Sequence, residues 1–340
     1  MRKFLIFSLL AGIFGALAAC QDKASVSESV TIPGADTVKI ELSLERLDTS
    51  LLACTSEQAV KFWLDQHADF TAYYFPKGEF QDKQQLVKEL FRRINDPNLR
   101  EFYKQVKESF GDLDPLKEQV ITGLRNIKAY DPTFRVPKIK TIFTGFMGAD
   151  LIISDSMIVI GLDYFLGPKA KYRPQVYDYQ LWRYTPQALV PQMIFVISER
   201  YSETNRQDQT LLADMIGYGK GFEFTQTMLP KTPDSLIIGY TDKQLAETAI
   251  AQDLVWSYLI ENKLLYETNP NKKVKYLGDR PVTPEIGPRC PGSIGRWVGW
   301  QIIRYYRKNN PDRSLKDIMQ QTNTQQLLEA SKYRGQTEEE

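Results

Sequence analysis

The sequence contains a single histidine, His67, and this scarcity excludes most metal-dependent and nucleophilic catalytic sites. One imidazole cannot form a two-histidine zinc site, and the three cysteines include no Cys-x-x-Cys pair that would compensate for it. The chain also lacks the Gly-x-Ser-x-Gly segment of serine hydrolases and the Gly-x-x-x-x-Gly-Lys-Ser/Thr loop that binds phosphates. We expect His67 to be a solvated surface residue of a helix. The sequence therefore predicts a protein that is not an enzyme and has no metal and no cofactor.

An excess of charge of either sign is also missing. The chain has 43 lysines and arginines against 42 acidic residues, and its formal net charge is +1. Nucleic-acid binding draws on clustered lysine and arginine that neutralise phosphates, so no nucleic-acid partner is expected. Apolar residues make up 42% of the chain and aromatic residues 12%, which is enough to fill the core of a globular protein.

The N-terminus has the features of a bacterial lipoprotein signal. Arg2 and Lys3 precede an uncharged apolar run from Phe4 to Ala19, and Leu17-Ala18-Ala19-Cys20 ends it with small residues before a thiol. This pattern predicts a signal peptide over residues 1–19, cleavage after Ala19 and lipid on Cys20. The run is shorter than the roughly 20 residues that a membrane-spanning helix needs, so a retained anchor is disfavoured. An ordinary secretory signal ending near a cysteine is the alternative.

Residues 20–36 are predicted to be the lipidated cysteine and a flexible tether, and residues 37–340 a single globular domain. The tether is small and polar and contains no aromatic residue. No later stretch is long and apolar enough to cross a bilayer, so the lipid is the expected attachment to the membrane.

The periodicity of the domain predicts an α+β fold, predominantly helical and with a small antiparallel sheet. Strands are expected at 37–47, 138–144 and 157–160, where apolar and polar residues alternate or β-branched residues cluster. Helices are expected where apolar residues recur at helical spacing, with proline and glycine between them. Their predicted ranges are 56–74, 83–95, 98–110, 187–201, 209–228, 242–266 and 293–308, with shorter turns from 314 and 324.

Cys54 and Cys290 are a candidate disulfide pair, because the envelope outside the inner membrane is oxidising. Two buried thiols that never meet are the equally weighted alternative. Among the carboxylates, Asp163 is the least ordinary, since it lies between Gly161 and Gly167 beside two aromatic residues. Surface or helix-end roles account for most such carboxylates, and no spacing marks a catalytic pair.

The segment 291–306 combines glycines and tryptophans at helical spacing. Gly295 and Gly299 are four residues apart on one face of a predicted helix, where they would allow a second backbone to approach closely. Trp297 and Trp300 would bury a large area on an adjacent face. Close helix packing is the favoured interpretation, and a groove for a partner or peptide is the alternative.

The chain resembles the gliding-motility lipoprotein GldB family of Bacteroidetes-type bacteria over nearly its whole length after the tether. The matching marks are the lipoprotein cysteine and the segments Gly161-Leu162-Asp163-Tyr164-Phe165-Leu166-Gly167, Val190-Pro191-Gln192, Met215-Ile216-Gly217-Tyr218-Gly219-Lys220, Ile238-Gly239-Tyr240-Thr241, 291–302 and Ser331-Lys332-Tyr333. The resemblance implies an envelope lipoprotein acting near the gliding machinery, which also exports proteins by type IX secretion. In that bacterial group an acidic run after the cysteine is associated with display on the outer face. Gln21-Asp22-Lys23 is not such a run, so a periplasm-facing position is expected.

A fainter likeness connects the helices at 187–201 and 209–228 with HExxH zinc metallopeptidases. In those enzymes the first helix carries two histidines and the second often carries a glutamate ligand. Here the first helix has no histidine, Gln192 lies within it, and Tyr218 takes the place of the ligand glutamate, followed by Lys220. Such residues cannot assemble a zinc site. The likeness implies a peptidase fold that has lost its metal and kept a groove beside Gln192 and Tyr218.

Three hypotheses follow for function. The leading one is a lipid-anchored, non-catalytic envelope protein that binds partners in the motility or secretion apparatus. The second is a carboxylate-based hydrolase acting on envelope glycan or peptide, with Asp163 as its first candidate residue. The third is a carrier that holds a small ligand in a remnant apolar pocket behind Trp297 and Trp300.

Overall fold

The computed structural model describes residues 32–75, 78 and 80–336. The predicted signal peptide, Cys20 and most of the predicted tether lie outside these residues. The described chain begins with a 3-10 turn at Ala35–Thr37 and becomes a strand only at Leu44–Arg46 (β1). The strand predicted over 37–47 is therefore much shorter, because the neighbouring strand offers paired positions only to residues 44–46.

The sheet has four strands in the order β1-β2-β4-β3. The other three strands are β2 (Lys138–Ile142), β3 (Leu151–Ile153) and β4 (Met157–Gly161). The prediction of an antiparallel sheet is wrong in this detail: β2 is parallel to both β1 and β4, and only β3 pairs antiparallel, with β4. The reason is β3, which was not predicted. It reverses the chain at the sheet edge, so that β4 returns parallel to β2.

The first half of the chain is mostly helical between β1 and β2. Its helices are α1 (Leu47–Leu52), α2 (Glu57–Gln66), α3 (Ala68–Tyr74), α4 (Lys83–Asn95), α5 (Pro97–Phe110) and α6 (Asp114–Tyr130). The side chains of Ser56, Asp82 and Asp96 accept hydrogen bonds from backbone N–H groups in the first turns of α2, α4 and α5. The single helix predicted over 56–74 is interrupted at His67. α6 was not predicted, although Pro115 in its first turn is a common start signal.

The second half of the chain consists mainly of helices. They are α7 (Pro186–Ser198), α8 (Leu211–Met228), α9 (Asp234–Ile238), α10 (Asp242–Ile250), α11 (Gln252–Glu261), α12 (Pro270–Leu277), α13 (Ile294–Asn309), α14 (Leu315–Gln320) and α15 (Thr324–Ser331). The longest connections between them join α7 to α8 and α12 to α13. Three 3-10 turns lie at Leu162–Phe165, Asp178–Arg183 and Leu264–Tyr266. The long helix predicted over 242–266 divides at Ala251, whose ψ of 15° leaves the helical range.

Three hydrophobic clusters form the interior. One surrounds α8 and α13, the second joins the sheet to α5, α6 and α7, and the third lies under α1 to α4. Together they make an α+β protein that is mostly helical. In the part of the chain that the structure describes, no helix combines the length and apolar composition needed to cross a bilayer.

The two cysteines of the domain are free thiols, so the disulfide considered from the sequence is absent from the structure. Cys54 belongs to the cluster under α1 to α4, whereas Cys290 packs against the cluster around α8 and α13. The Cys54 thiol contacts the carbonyl of Ser50 at 3.7 Å. Burial raises the pKa of Cys290 to about 12 and also raises that of Cys54, which keeps both as thiols.

Candidate functional site

A groove of about 770 Å³ opens between the end of α7 and the first half of α8. Its remaining walls come from the α7–α8 connection, from α12 and from the segment 321–324. The groove volume lies within the range typical of ligand sites in proteins. Of the sequence-predicted site residues, the structure brings Tyr218 and Lys220 to this groove.

Tyr218 is held in place on the groove wall by two neighbours. Its ring stacks on Phe195 of α7 with centroids 6.2 Å apart. The guanidinium carbon of Arg296 on α13 lies 4.4 Å from the centroid of the same ring, a cation–π distance. These contacts fix an aromatic surface at the position where the metallopeptidase likeness places a metal ligand.

Lys220 ties three separate segments together beneath the groove. Its side chain is almost completely buried, and Nζ donates to the carbonyl oxygens of Glu203 at 3.0 Å, Met319 at 3.1 Å and Gln321 at 2.6 Å. Burial lowers the pKa of Lys220 to about 8, while the nearby Glu203 carboxylate acts in the opposite direction. Because three carbonyls accept from it, Lys220 connects α8 to the α7–α8 connection and to the chain after α14.

Three other charged side chains of the groove are also engaged within the protein. Lys273 of α12 lies 2.6 Å from the Asp214 carboxylate of α8. Asp208 accepts from the hydroxyls of Thr210 and Thr324 at 2.7 and 2.6 Å. With four carboxylates and three cations, the groove is a surface of nearly balanced charge. The pairings described do not place a general acid opposite a general base.

Gln192 does not line this groove, which corrects the expectation of a groove beside Gln192 and Tyr218. Its side-chain amide instead donates to the carbonyl oxygens of Arg183 and of Ala188, the latter at 3.1 Å. Gln192 therefore joins α7 to the 3-10 turn that precedes it, and it lies one to two helical turns before Phe195, Ser198 and Glu199, the residues of α7 and its end that line the groove.

Gly295 and Gly299 lie where α13 packs against other backbones. A Cβ added at Gly299 would be 1.8 Å from the carbonyl oxygen of Met215 on α8, and one added at Gly219 would be 2.2 Å from the carbonyl oxygen of Gly299. At Gly295 the carbonyl oxygen of Tyr276 would be 3.2 Å away. Helices α8 and α13 thus cross with their backbones in contact, which only glycine allows.

Trp297 and Trp300 are both completely buried beside this crossing, and neither lines the groove. The Trp300 indole N–H donates to the Glu223 carboxylate of α8 at 3.1 Å. Arg307 contacts the other Glu223 oxygen at 2.6 Å. The two indoles are core residues, so the pocket expected behind them is not where the groove lies.

Asp163 is fully buried, and its carboxylate organises the loop after β2. One carboxylate oxygen accepts from the backbone N–H groups of Phe146 at 2.6 Å and Thr144 at 3.4 Å, while the other has no hydrogen-bond partner. Burial raises the pKa of Asp163 to about 6, although the backbone N–H groups favour its charged form. The Asp163 carboxylate is closed off from solvent, and its contacts with backbone N–H groups hold the loop.

His67 is partly buried between α2 and α3, which corrects the expectation of a solvated residue on a helix. Its ring lies against Trp63 with centroids 4.8 Å apart, and Nδ1 is 3.5 Å from a Glu45 carboxylate oxygen. Within the described ranges, no group of three or more His, Cys, Asp or Glu side chains is placed to hold a metal ion.

Sequence patterns did not reveal the walls of the groove that come from α12 and the segment 321–324. Lys273 and Thr324 are ordinary surface residues in the sequence, and they reach Asp214 and Asp208 only through folding. The nearest signal was the dense pattern of glycine, tyrosine and lysine at 217–221 on α8, which marks one wall.

Comparison with known proteins identifies the family. No curated protein and no solved structure matches the chain, so the likeness to zinc metallopeptidases stays a prediction. A family model described as gliding motility protein GldB matches residues 28–335. This match covers the α7–α8 groove, the crossing of α8 with α13 and the loop held by Asp163, and the chain therefore belongs to the GldB family of gliding motility proteins.

Proposed function

We propose that this protein is a lipid-anchored, non-catalytic component of the cell envelope that binds a protein partner of the motility or type IX secretion machinery. Membership in the GldB family supports the association with gliding motility. The N-terminal pattern ending in Ala19-Cys20 supports a lipid anchor on Cys20. The lack of an acidic run in Gln21-Asp22-Lys23 supports a position facing the periplasm. The proposed binding site is the α7–α8 groove.

The observation that carries the proposal is the groove itself, with an aromatic wall and balanced charges. Phe195 and Tyr218 present stacked rings, and tyrosine is enriched among residues that dominate protein interfaces. Lys220, Asp208 and Asp214 are engaged by neighbouring groups of the chain, which supports a role for them in shaping the groove.

Gly217 offers a direct way to close the groove. It lies on the groove wall in α8, and a Cβ added to it would meet no atom within 4 Å. Gly217→Trp should fill the groove and abolish gliding while the protein remains folded. Gly217→Ala is the matched control, because it adds only a methyl group and improves helix propensity by about 1 kcal/mol. Normal gliding with the Trp variant would exclude the groove as the working site.

The partner can be captured from the same surface. A photo-crosslinking residue at Gln209, on the groove rim, should form a specific crosslink to a motility or secretion component in living cells. The same photo-crosslinking amino acid placed at Lys88, an exposed position of α4, is the control. The Gly217→Trp variant should remove the Gln209 crosslink. Equal crosslinking from both positions would contradict a groove-specific partner.

The lipid anchor has its own test. Cys20→Ala should release the protein from the membrane fraction and stop gliding, while the thermal unfolding of the domain stays unchanged. Unimpaired gliding by the released protein would show that attachment is not required.

Asp163→Asn separates the non-catalytic proposal from a carboxylate hydrolase. The amide keeps the shape of the side chain and can accept from Phe146, so the loop should hold. We expect normal gliding from a folded Asp163→Asn protein. A folded variant that has lost function would instead favour hydrolysis.

A further inference from the structure

The segment 168–183, called here the aromatic loop, connects the 3-10 turn after β4 to the start of α7. It exposes two large rings, Tyr177 at 72% and Trp182 at 49% of their full area. The side chains of Lys169, Lys171 and Arg173 are exposed in the same loop. Exposed aromatic and basic side chains therefore occur together within sixteen residues.

The aromatic loop is attached firmly to the rest of the protein, so these side chains are presented on an ordered backbone. The Tyr172 ring stacks on Phe102 of α5 at 4.8 Å. The Tyr179 hydroxyl donates to the carbonyl oxygen of Asp279 at 3.1 Å, and Arg183 contacts the Asp279 carboxylate at 2.6 Å. The loop thus needs no ordering when it meets a partner, which lowers the entropic cost of binding.

The charge of the aromatic loop differs from that of the whole chain. Its four cations (Lys169, Lys171, Arg173 and Arg183) and one carboxylate (Asp178) give +3, whereas the 340 residues together give +1. Lys171 lies 3.6 Å from Glu101 and Arg173 lies 3.7 Å from Asp178, both in solvent-exposed pairs. Exposed pairs of this kind bind weakly, so both cations can turn to an anionic surface.

Two other exposed apolar regions carry the opposite charge. Phe62 and Tyr73 are exposed on α2 and α3, where residues 57–73 contain three carboxylates and one lysine, a charge of −2 with His67 neutral. Ile250, Leu254 and Ile260 are exposed along α10 and α11, where residues 247–261 contain three carboxylates and no cation, a charge of −3. Both regions would be repelled by an anionic surface.

We propose that the aromatic loop lies on the anionic phospholipid surface of the membrane, with Tyr177 and Trp182 at the level of the headgroups. Tyrosine and tryptophan concentrate at membrane–water interfaces, and lysine and arginine are attracted to anionic lipids. The loop would then set the orientation of the domain on the membrane, and hence the direction in which the α7–α8 groove opens.

The geometry of attachment agrees with this placement, which rests on the proposed function for the lipid on Cys20. Twelve residue steps separate Cys20 from Ile32, so the domain stays within about 40 Å of its anchor at full extension. Ile32 and Tyr172 pack against the same hydrophobic cluster. A tether of this length keeps the domain next to the membrane surface that the aromatic loop is proposed to contact.

Quenching of Trp182 by lipid tests the proposal. The full lipidated chain is reconstituted into vesicles whose brominated acyl chains quench nearby tryptophan, made either from zwitterionic phospholipid alone or from an equimolar mixture with anionic phospholipid. The difference between wild type and Trp182→Phe isolates Trp182 from the other four tryptophans. We expect quenching of Trp182 in the anionic vesicles and its loss at high salt. An unquenched Trp182 in anionic vesicles would overturn the proposal.

Matched variants make the charge argument quantitative. In the non-lipidated Cys20→Ala chain, replacing Lys169, Lys171 and Arg173 with serine should weaken binding to anionic vesicles by about a hundredfold. Serine at the exposed Lys61, Lys88 and Lys243 is the control and should leave binding unchanged. Equal weakening by both triple variants would overturn the proposal. The proposal would also be overturned if Trp182 became shielded from solvent only when a protein was added, since that result assigns the loop to a protein interface.

Failure of the anchor and failure of the loop give different results. If the lipid on Cys20 is absent, the wild-type and Cys20→Ala chains bind vesicles equally, whether or not Trp182 is quenched. If the loop proposal is wrong, anchoring persists and Trp182 is unquenched.

Discussion

Helix α8 presents two faces that use glycine in opposite ways. On one face Gly219 meets the backbone of α13, where an added Cβ would be 2.2 Å from the carbonyl oxygen of Gly299. On the other face Gly217 borders the groove, where an added Cβ meets nothing within 4 Å. The two glycines flank Tyr218 in the sequence, yet Gly219 is required for packing and Gly217 only leaves space in the groove.

The difference shows how one helix can be both a core element and a binding wall. The packed face contains Glu223, whose carboxylate accepts from the Trp300 indole and from Arg307. The groove face contains Tyr218 and, beneath it, Lys220. Because the packed face is fixed by backbone contact, the groove face has a rigid support, which a binding site requires.

The largest expected effect is on the packed face. Gly299→Ala would place a methyl group 1.8 Å from the carbonyl oxygen of Met215, so the two helices must separate. Since backbone cannot yield as a side chain can, we expect the free energy of unfolding to fall by more than about 3 kcal/mol. Urea unfolding of the wild type and the variant measures this loss of free energy. Gly287→Ala, where a Cβ has free space, is the control. An unchanged midpoint for Gly299→Ala would mean that α8 and α13 do not touch there.

Glu223→Gln should destabilise the packed face somewhat less. The amide can still accept one hydrogen bond, but Arg307 loses a buried carboxylate at 2.6 Å, and we expect a loss of about 2–3 kcal/mol. The control is Asp155→Asn, which removes an exposed partner of Arg200 and should cost less than about 1 kcal/mol. Equal effects of the two variants on the urea midpoint would show that Glu223 is not buried as described.

Lys220→Met tests the support beneath the groove. Methionine fills a similar volume but leaves the carbonyls of Glu203 and Gln321 without the lysine donor, while the Met319 carbonyl still accepts from the Glu203 backbone N–H. A loss of about 2 kcal/mol is therefore expected. Urea unfolding and the Gln209 crosslink are measured for both Lys220→Met and Gly217→Trp. Loss of the crosslink without loss of stability indicates a filled groove, whereas loss of both indicates a collapsed groove.

The same residue predicts a pH dependence. Because burial lowers the pKa of Lys220 to about 8 in the folded protein from 10.5, the unfolded chain binds more protons between pH 8 and 10.5. The contribution of Lys220 to stability therefore rises with pH across that window. The difference in unfolding free energy between wild type and Lys220→Met should widen from pH 8 to 10. A constant difference would contradict the lowered pKa.

The smallest effect is expected at Gly217, where Gly217→Ala should stabilise the protein by about 1 kcal/mol. The methyl group meets no neighbour within 4 Å, and alanine favours the helix over the unfolded chain. A destabilised Gly217→Ala protein in thermal unfolding would show that this face is packed as tightly as the face at Gly219.

Local patterns predicted many elements well and long-range relations poorly. The helix predicted over 83–95 has the same ends in the structure, because Asp82 caps it and Asp96-Pro97 ends it within the local sequence. The antiparallel sheet was a wrong expectation, since the direction of β4 depends on β3 at the far edge. The sequence marked Asp163 as an unusual carboxylate, but only its burial and its bond to the Phe146 N–H show that it holds a loop.

By itself the sequence determined the chemical inventory, most helices and the α+β class, because these depend on composition and on spacing within a few residues. The lipoprotein signal stays a prediction from the sequence. The tertiary structure alone decided which glycine of 217–221 touches α13, that Cys54 and Cys290 stay apart, and that Lys273 and Thr324 complete the groove. Those relations join residues far apart in the chain, and packing of the three clusters brings them together or separates them.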